Sequence, residues 1–373
     1  MARHIYVHVP FCEAKCPYCS FYSVTSSELA QKYWDAINYE LEHSSIVEDI
    51  NEDEVDTVYF GGGTPSSQPA QKICDFLRAI ISKFDINPES SEITIEVNPH
   101  SLTEEKAKAY REAGFNRVSI GVQSLHDSTL KTLGRLHDSE TAKNAIRILK
   151  SARFTNISAD LIIGVPNQLK EEVLDDASYL LGEGIKHISM YSLSIEPGTS
   201  FEKRYPHLED VVSEDYEREM YHGLSNYLSE NGVIPYEISN CAAPGMESKH
   251  NSSYWEGCEY YAFGAGAHGY LNSVRFGHPD DVCEYIDNPC GTYEEETLTV
   301  EDKMGEFCML MLRKASGVNM KEFKKRFGRD FEVQYSDILK RCIDKGFLEI
   351  SGDNVRLTNH GLDFANLVFA EFI

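Results

Sequence analysis

The chain has 373 residues, 42% of them hydrophobic, enough to bury one large domain plus a smaller one, or two of middling size. Against 35 basic residues stand 60 acidic ones, and the formal charge of -25 repels phosphate backbones and anionic surfaces, which sets nucleic acid aside as a partner. No run of about 18 apolar residues occurs, and Met1-Ala-Arg-His-Ile-Tyr lacks the apolar core of a secretion signal, so a cytoplasmic protein with no membrane segment is expected.

The first predicted strand, residues 4–9, alternates apolar and polar positions and ends at Pro10. Directly after it comes Cys12-Glu-Ala-Lys-Cys16-Pro-Tyr-Cys19. The spacing lets three sulfurs on one loop turn toward a common centre, a soft ligand set for zinc or an iron–sulfur cluster. His8 could complete a Cys3His zinc site, and Cys16-Pro-Tyr-Cys19 alone reads as a redox pair. With three thiolates, a four-iron cluster would keep one iron without a protein ligand and free to hold a small molecule. The other seven cysteines form no second C-x-x-C, which fits a reducing compartment.

Further strands are expected at 55–60, 92–97, 116–121, 157–163 and 186–194, separated by amphipathic stretches such as 28–48, 103–113, 139–152 and 169–182. Six such β/α units argue for a parallel sheet with helices outside, either doubly wound or curled into a barrel. The unusual residues fall at or beyond the strands' carboxyl ends, where parallel folds assemble their sites. Gly61-Gly-Gly-Thr64 follows the second strand, either as a structural turn or as backbone open to a ligand. Glu96 sits in the third strand among β-branched residues and needs a partner there. Gln123 and Arg135 follow the fourth strand, and Asp160 lies in the fifth; taken singly, each also reads as a cap or a surface ion pair.

Past residue 200 the pattern changes to a charged helix at 213–231, a short strand at 235–239 and a glycine- and aromatic-rich region at 250–277. His250, in His250-Asn-Ser-Ser-Tyr-Trp255, is either a packed core histidine or an axial ligand for haem iron. Residues 299–373 are charge-balanced, with 12 basic and 12 acidic side chains. Helices at 301–314, 319–327 and 332–345 precede strands at 347–350 and 354–357, a winged-helix-like order. The basic run Lys321, Lys324, Lys325, Arg326 and Arg329 is read as a solvated helix face, because the acidic remainder opposes nucleic acid.

Tyr6 through Cys19, Y-x-H-x-P-F-C-x3-C-x-Y-C, resembles the cluster loop of the radical S-adenosylmethionine (SAM) superfamily, and within it the HemN/HemW branch of anaerobic coproporphyrinogen III oxidases and haem chaperones. The resemblance implies a partial (β/α)6 barrel at 1–240, an extension closing it at 241–298, and a C-terminal winged-helix-like domain at 299–373. It implies a [4Fe–4S] cluster on Cys12, Cys16 and Cys19, and SAM or cofactor contacts at Tyr6, Tyr18, Phe21, Gly62, Gly63, Thr64, Glu96, Gln123, Arg135 and Asp160. H-N-x-x-Y-W resembles a signature of the chaperones, which links His250 to haem. Two departures from the oxidases favour a carrier that passes haem to acceptor proteins over a decarboxylating oxidase. Phe21 stands where the oxidases have a further cysteine, and only 11 residues precede Cys12 where they have a long N-terminal extension.

Overall fold

The structure, a computed structural model, describes residues 4–26, 28–44, 55–84, 86–292 and 294–373. Six parallel strands stand side by side in chain order: β1 (His4–Val9), β2 (Thr57–Gly62), β3 (Glu92–Val97), β4 (Arg117–Gln123), β5 (Asn156–Ile163) and β6 (His187–Ser192). Along each strand, side chains alternate between faces. Ile5, Val7, Val58, Phe60, Ile93, Ile95, Val118, Ile120 and Ile188 all point outward and are fully buried under helices. Each such side chain contributes about 1.5–3 kcal/mol. The inward positions are polar: His4, Tyr6 and His8 on β1, Glu92, Thr94 and Glu96 on β3, and Ser158 and Asp160 on β5.

The helices are cut by local chemistry. Asp138 caps Ser139–Ser151 by accepting from Thr141 N, and Ala142, Ala145, Ile146 and Leu149 form its buried stripe. Thr103 caps Glu104–Ala113, and Gly114, at φ +117°, ends it. The helix expected at 28–48 runs Ala30–His43, and residues 45–48 of that expectation lie outside the described residues.

Beyond residue 230 the sheet grows at both edges. β7 (Ile234–Glu237) and β8 (Asn240–Ala242) add antiparallel next to β6. β9 (Tyr260–Phe263) runs parallel to β1 and carries β10 (His268–Leu271), β11 (Val274–Gly277) and β12 (Glu294–Thr297) outward. The twelve strands follow one open order that does not return on itself, so the barrel is partial. A buried clamp fixes this extension. Glu40, 0% exposed, accepts from Tyr261 and Tyr285 hydroxyls at 2.7 and 2.5 Å and from Gly264 N, with His278 Nε2 at 3.1 Å. Burial lowers the pKa of His278, but Glu40 more than offsets this and holds it above the ordinary value.

The C-terminal part has its own hydrophobic core, running from Met304 to Phe372, and a small sheet of β13 (Val318–Asn319), β14 (Leu348–Ser351) and β15 (Asn354–Leu357). The expected helix at 332–345 is two helices, Phe331–Gln334 and Ser336–Asp344. Tyr335 leaves the helical region at φ -117°, ψ 24° so that its ring packs against Phe323, Phe331 and Phe372.

Candidate cofactor site

The cysteine loop leaves β1 and is tied at its base. Cys12 N donates to Val24 O and Val24 N to Pro10 O, while the turn Cys16–Cys19 closes through Cys19 N to Cys16 O at 3.1 Å. The Cys19 thiol is pushed up, first by burial and then by the nearness of Cys16 and Cys12, so the three sulfurs share one neighbourhood. Two of them meet donors suited to thiolates: Thr64 Oγ1 lies 3.4 Å from Cys12 Sγ, and Arg135 Nη1 donates to Cys16 Sγ at 3.4 Å.

His8 does not complete this set. Its Nε2 donates to Tyr22 O at 3.3 Å and its Nδ1 accepts from Tyr6 OH at 3.1 Å, and burial lowers its pKa to about 4. Among the described residues, no three His, Cys, Asp or Glu side chains are gathered so as to hold a single metal ion. Three thiolates on one loop are a soft donor set of the kind that holds an iron–sulfur cluster.

Gly61-Gly-Gly is shaped by contact as much as by openness. Gly62 sits at φ +104° against the His8 ring, and a Cβ on Gly63 would lie 2.8 Å from Phe11 O. Gly63 N and Thr64 N donate to Val9 O and Phe11 O, so the turn also grips the root of the cysteine loop.

Beside the loop, at the carboxyl ends of the strands, lies a cavity of about 430 Å³. Tyr18, Cys19, Phe21, Gly62, Gly63, Thr64, Glu96, Gln123, Arg135 and Asp160 all line it. Burial raises Glu96 to about 7 against the hydrogen bond from Tyr59 OH at 2.7 Å, and raises Asp160 to about 6 against those from Ser189 and Ser119. Arg135 also donates to Tyr18 OH at 3.2 Å and Gly121 O at 3.3 Å. Gln123 Oε1 and Arg135 Nε are buried without a hydrogen-bond partner. Gln123 also takes a left-handed backbone, φ +66°, where the β4–β5 register shifts. Strain and missing partners together suit a cavity waiting for a polar ligand.

Residues 6–180 match the family model of the radical SAM superfamily, and residues 298–364 that of the HemN C-terminal domain. The chain is 34% identical to the protein named Heme chaperone HemW of Bacillus subtilis, covering 100% of this chain and 99% of that one. It is 35% identical to the Heme chaperone HemW of Lactococcus lactis, covering 99% and 96%.

The chain belongs to the HemW family.

Its fold is similar to that of the solved coproporphyrinogen III oxidase HemN from Escherichia coli, with a TM-score of 0.85 at 19% identity over 99% of this chain and 89% of that one. At that identity the likeness speaks for the fold alone. Membership in the HemW family and the radical SAM superfamily carries the expectation of a [4Fe–4S] cluster and SAM, and the thiolate donors and unpartnered cavity atoms fit both.

In this HemW-family chain, two residues of the expected contacts lie apart from this cavity. Tyr6 is not among the cavity-lining residues; it sits inside the barrel, its hydroxyl on His8 and its ring stacked on Tyr59 and His250 at 6.2 and 6.4 Å. His250 lies at the opposite end of the strands from the cysteines. It is 1% exposed, with Nδ1 2.7 Å from Thr57 Oγ1 and Nε2 2.8 Å from Tyr254 OH, so both ring nitrogens have partners within the chain. Its helix, Lys249–Trp255, plugs the amino ends of the strands: Glu92 accepts from Lys249 N and His250 N, both at 3.0 Å. That end is remote from the cysteines by the length of β2, six residues or roughly 20 Å.

Several cavity residues were not anticipated. Asn98, Ser119, Tyr191, Ser192 and Glu196 line the same space, and Ser119 reaches Asp160 at 3.1 Å. Their signal was the polar alternation of β3 to β6, because a buried parallel sheet is otherwise apolar on both faces. Asp176 was missed too. It is 2% exposed, accepts from Ser124 Oγ at 2.8 Å and Leu125 N at 2.9 Å, and so fixes the turn just after Gln123. A carboxylate within the buried stripe Val173, Asp176, Ala177 and Leu180 was its mark.

Proposed function

We propose that this chain is a haem chaperone of the radical SAM type, which holds a [4Fe–4S] cluster on Cys12, Cys16 and Cys19, binds SAM in the adjoining cavity, and hands haem to acceptor proteins in a reducing cytoplasm. The observation that carries the reading is the full-length likeness to proteins named haem chaperones, joined to a cavity whose buried Gln123 and Arg135 atoms lack protein partners. When bound, the cluster supplies an iron without a protein ligand for SAM to chelate and the electron that cleaves its sulfonium.

The chain's own groups prepare that site. Thr64 and Arg135 offset charge on the sulfurs of Cys12 and Cys16. Glu96 and Asp160, once ionised, would accept hydroxyl or cationic groups of a nucleoside, and Arg135 would meet the carboxylate of SAM. Phe21, 69% exposed at the cavity wall, covers the space where the oxidases carry a cysteine. The division into a barrel at 1–240, an extension at 241–298 and a domain at 299–373 belongs to this reading, supported by the separate core of the last segment.

The test is anaerobic reconstitution of the full chain, then haem titration in parallel with a coproporphyrinogen assay containing SAM and reductant. The expected result is saturable haem binding and no protoporphyrinogen. Steady decarboxylation would instead make the chain an oxidase.

A further inference from the structure

One stretch of the cavity wall is held in a shape that its own sequence does not favour. β4 and β5 pair in step up to Ile120 and Ala159, but the next pair is Gln123 with Leu161, so β4 carries one residue more than its neighbour over that step. Such a bulge re-aims a side chain. Gln123 takes φ +66°, and of the five non-glycine residues at positive φ among the described residues it alone lies within a strand. For a residue with a Cβ that conformation is strained. What it achieves is visible at Gly121, where a Cβ would meet Gln123 Nε2 at 2.8 Å and Arg135 Nη2 at 3.5 Å. The amide folds over bare backbone beside the guanidinium, and both side chains line the cavity.

Strain of this kind persists only where the surroundings over-determine it, and the bulge is gripped from several elements. Arg135 donates to Gly121 O at 3.3 Å, and Val122 O accepts from Ser124 N at 2.9 Å and from His137 Nε2 at 3.1 Å. From the outer layer comes Asp176, on the helix Lys170–Gly182. Its carboxylate, 2% exposed, accepts from Ser124 Oγ at 2.8 Å and Leu125 N at 2.9 Å, and Ser124 Oγ accepts in turn from His126 N at 3.1 Å. His126 Nε2 stands 3.5 Å from Asp176, and its Nδ1 3.7 Å from Glu172. Sealing a carboxylate among Val173, Ala177 and Leu180 costs free energy, and burial pushes its pKa up to about 6. Both of its hydrogen bonds go to the residues just after Gln123.

We infer that Asp176 is a positioning residue for SAM: by fixing Ser124 and Leu125 it holds the bulge that aims the Gln123 amide into the cavity. The inference rests on the reading of that cavity as the SAM site. Asp176 is not among the cavity-lining residues, so it acts through Gln123.

A double-mutant cycle separates this role from a general one in stability. SAM affinity of the anaerobically reconstituted full chain, measured by equilibrium dialysis, should fall about tenfold in Asp176→Asn, whose amide NH2 offers no acceptor to one of the two donors. Cluster absorbance and the electron paramagnetic resonance spectrum without SAM should match wild type. Gln123→Ala removes the aimed group, and in that background Asp176→Asn should change SAM affinity by less than about twofold. Ser124→Ala, which gives up one bond, should weaken SAM binding about threefold alone and leave it unchanged in the Gln123→Ala background; it carries the test should Asp176→Asn fail to fold. The full loss repeated in the Gln123→Ala background, or wild-type affinity in the single variants, would overturn the positioning role while leaving the SAM site in place. No SAM binding by wild type would overturn the reading of the cavity as well.

Discussion

At the amino ends of the barrel strands, His250 has both ring nitrogens bonded and Glu92 has both oxygens accepting from Ser248, Lys249 and His250. At the carboxyl ends, Gln123 Oε1 and Arg135 Nε have no partner, Gln123 bears a left-handed backbone, and Glu96 and Asp160 are forced toward their protonated forms. One strand length separates the bonded His250 and Glu92 from the unpaired atoms of Gln123 and Arg135, although Asn156 Oδ1 and Trp255 Nε1 are also unpaired toward the amino ends. Leaving a buried polar atom unpaired costs about 1–3 kcal/mol unless something else supplies the partner. Arg117, 1% exposed with Nε unpaired, departs from the pattern; it projects into the barrel two residues before Ser119 and draws Asp160 toward ionisation. The contrast teaches that a histidine in a family signature can be tied into the packing at one end of the strands, while the cavity at the other end holds polar atoms that the fold leaves unpaired.

The contrast can be broken by substitution at either end. Cys16→Ser should have the largest effect: reconstituted iron and sulfide fall from about four each per chain to background, with the thermal midpoint moved by no more than about 2 °C. His250→Ala should do the reverse, leaving cluster absorbance and SAM binding intact while lowering stability by about 2–4 kcal/mol in denaturant titrations, because Tyr254 and the stacked Tyr59 lose the imidazole and Thr57 keeps only His4. Loss of the cluster in that variant would mean that the two ends are coupled.

Glu96→Gln sharpens the comparison by separating stability from binding. The pKa of Glu96 in the fold, about 7, exceeds its ordinary 4.5, so the folded state holds the proton more tightly. Its stabilising share is complete below pH 4.5 and is lost as pH climbs to 7. At pH 8 the glutamine variant without ligand should therefore be more stable than wild type, on the order of 1–2 kcal/mol by chemical denaturation, yet bind SAM about tenfold more weakly. The smallest effect is that of pH alone. As pH falls from 8 to 6, Glu96 and Asp160 take up protons, and SAM affinity in equilibrium dialysis should drop several-fold.

Much of the barrel was legible because its strands and helices have strong periods. The six parallel strands lie within two residues of the expected spans, and the cap residues Asp138 and Thr103 stand where helices were expected to start. The edge strands β9 to β12 were not legible. Four-residue strands rich in glycine and aromatics carry too short a pattern, and what orders them is distant: Glu40, more than 200 residues away, joins Tyr261, Gly264 and Tyr285. The cysteine loop and glycine turn could be read from the sequence, because spacing and residue type are the chemistry there. For His250 the sequence left two readings open, and what the structure adds is the packing of its helix under Glu92. Asp176 and Tyr191 left only weak marks in the sequence, because their roles depend on which helix face and which strand end they occupy.

The most direct test of a three-cysteine cluster with one iron left open to SAM is electron paramagnetic resonance of the reconstituted, reduced full chain, recorded before and after SAM is added. The account predicts a [4Fe–4S] signal that changes on SAM addition in wild type and is absent in Cys16→Ser. One zinc per chain with no sulfide, or a cluster signal that SAM leaves untouched, would contradict it.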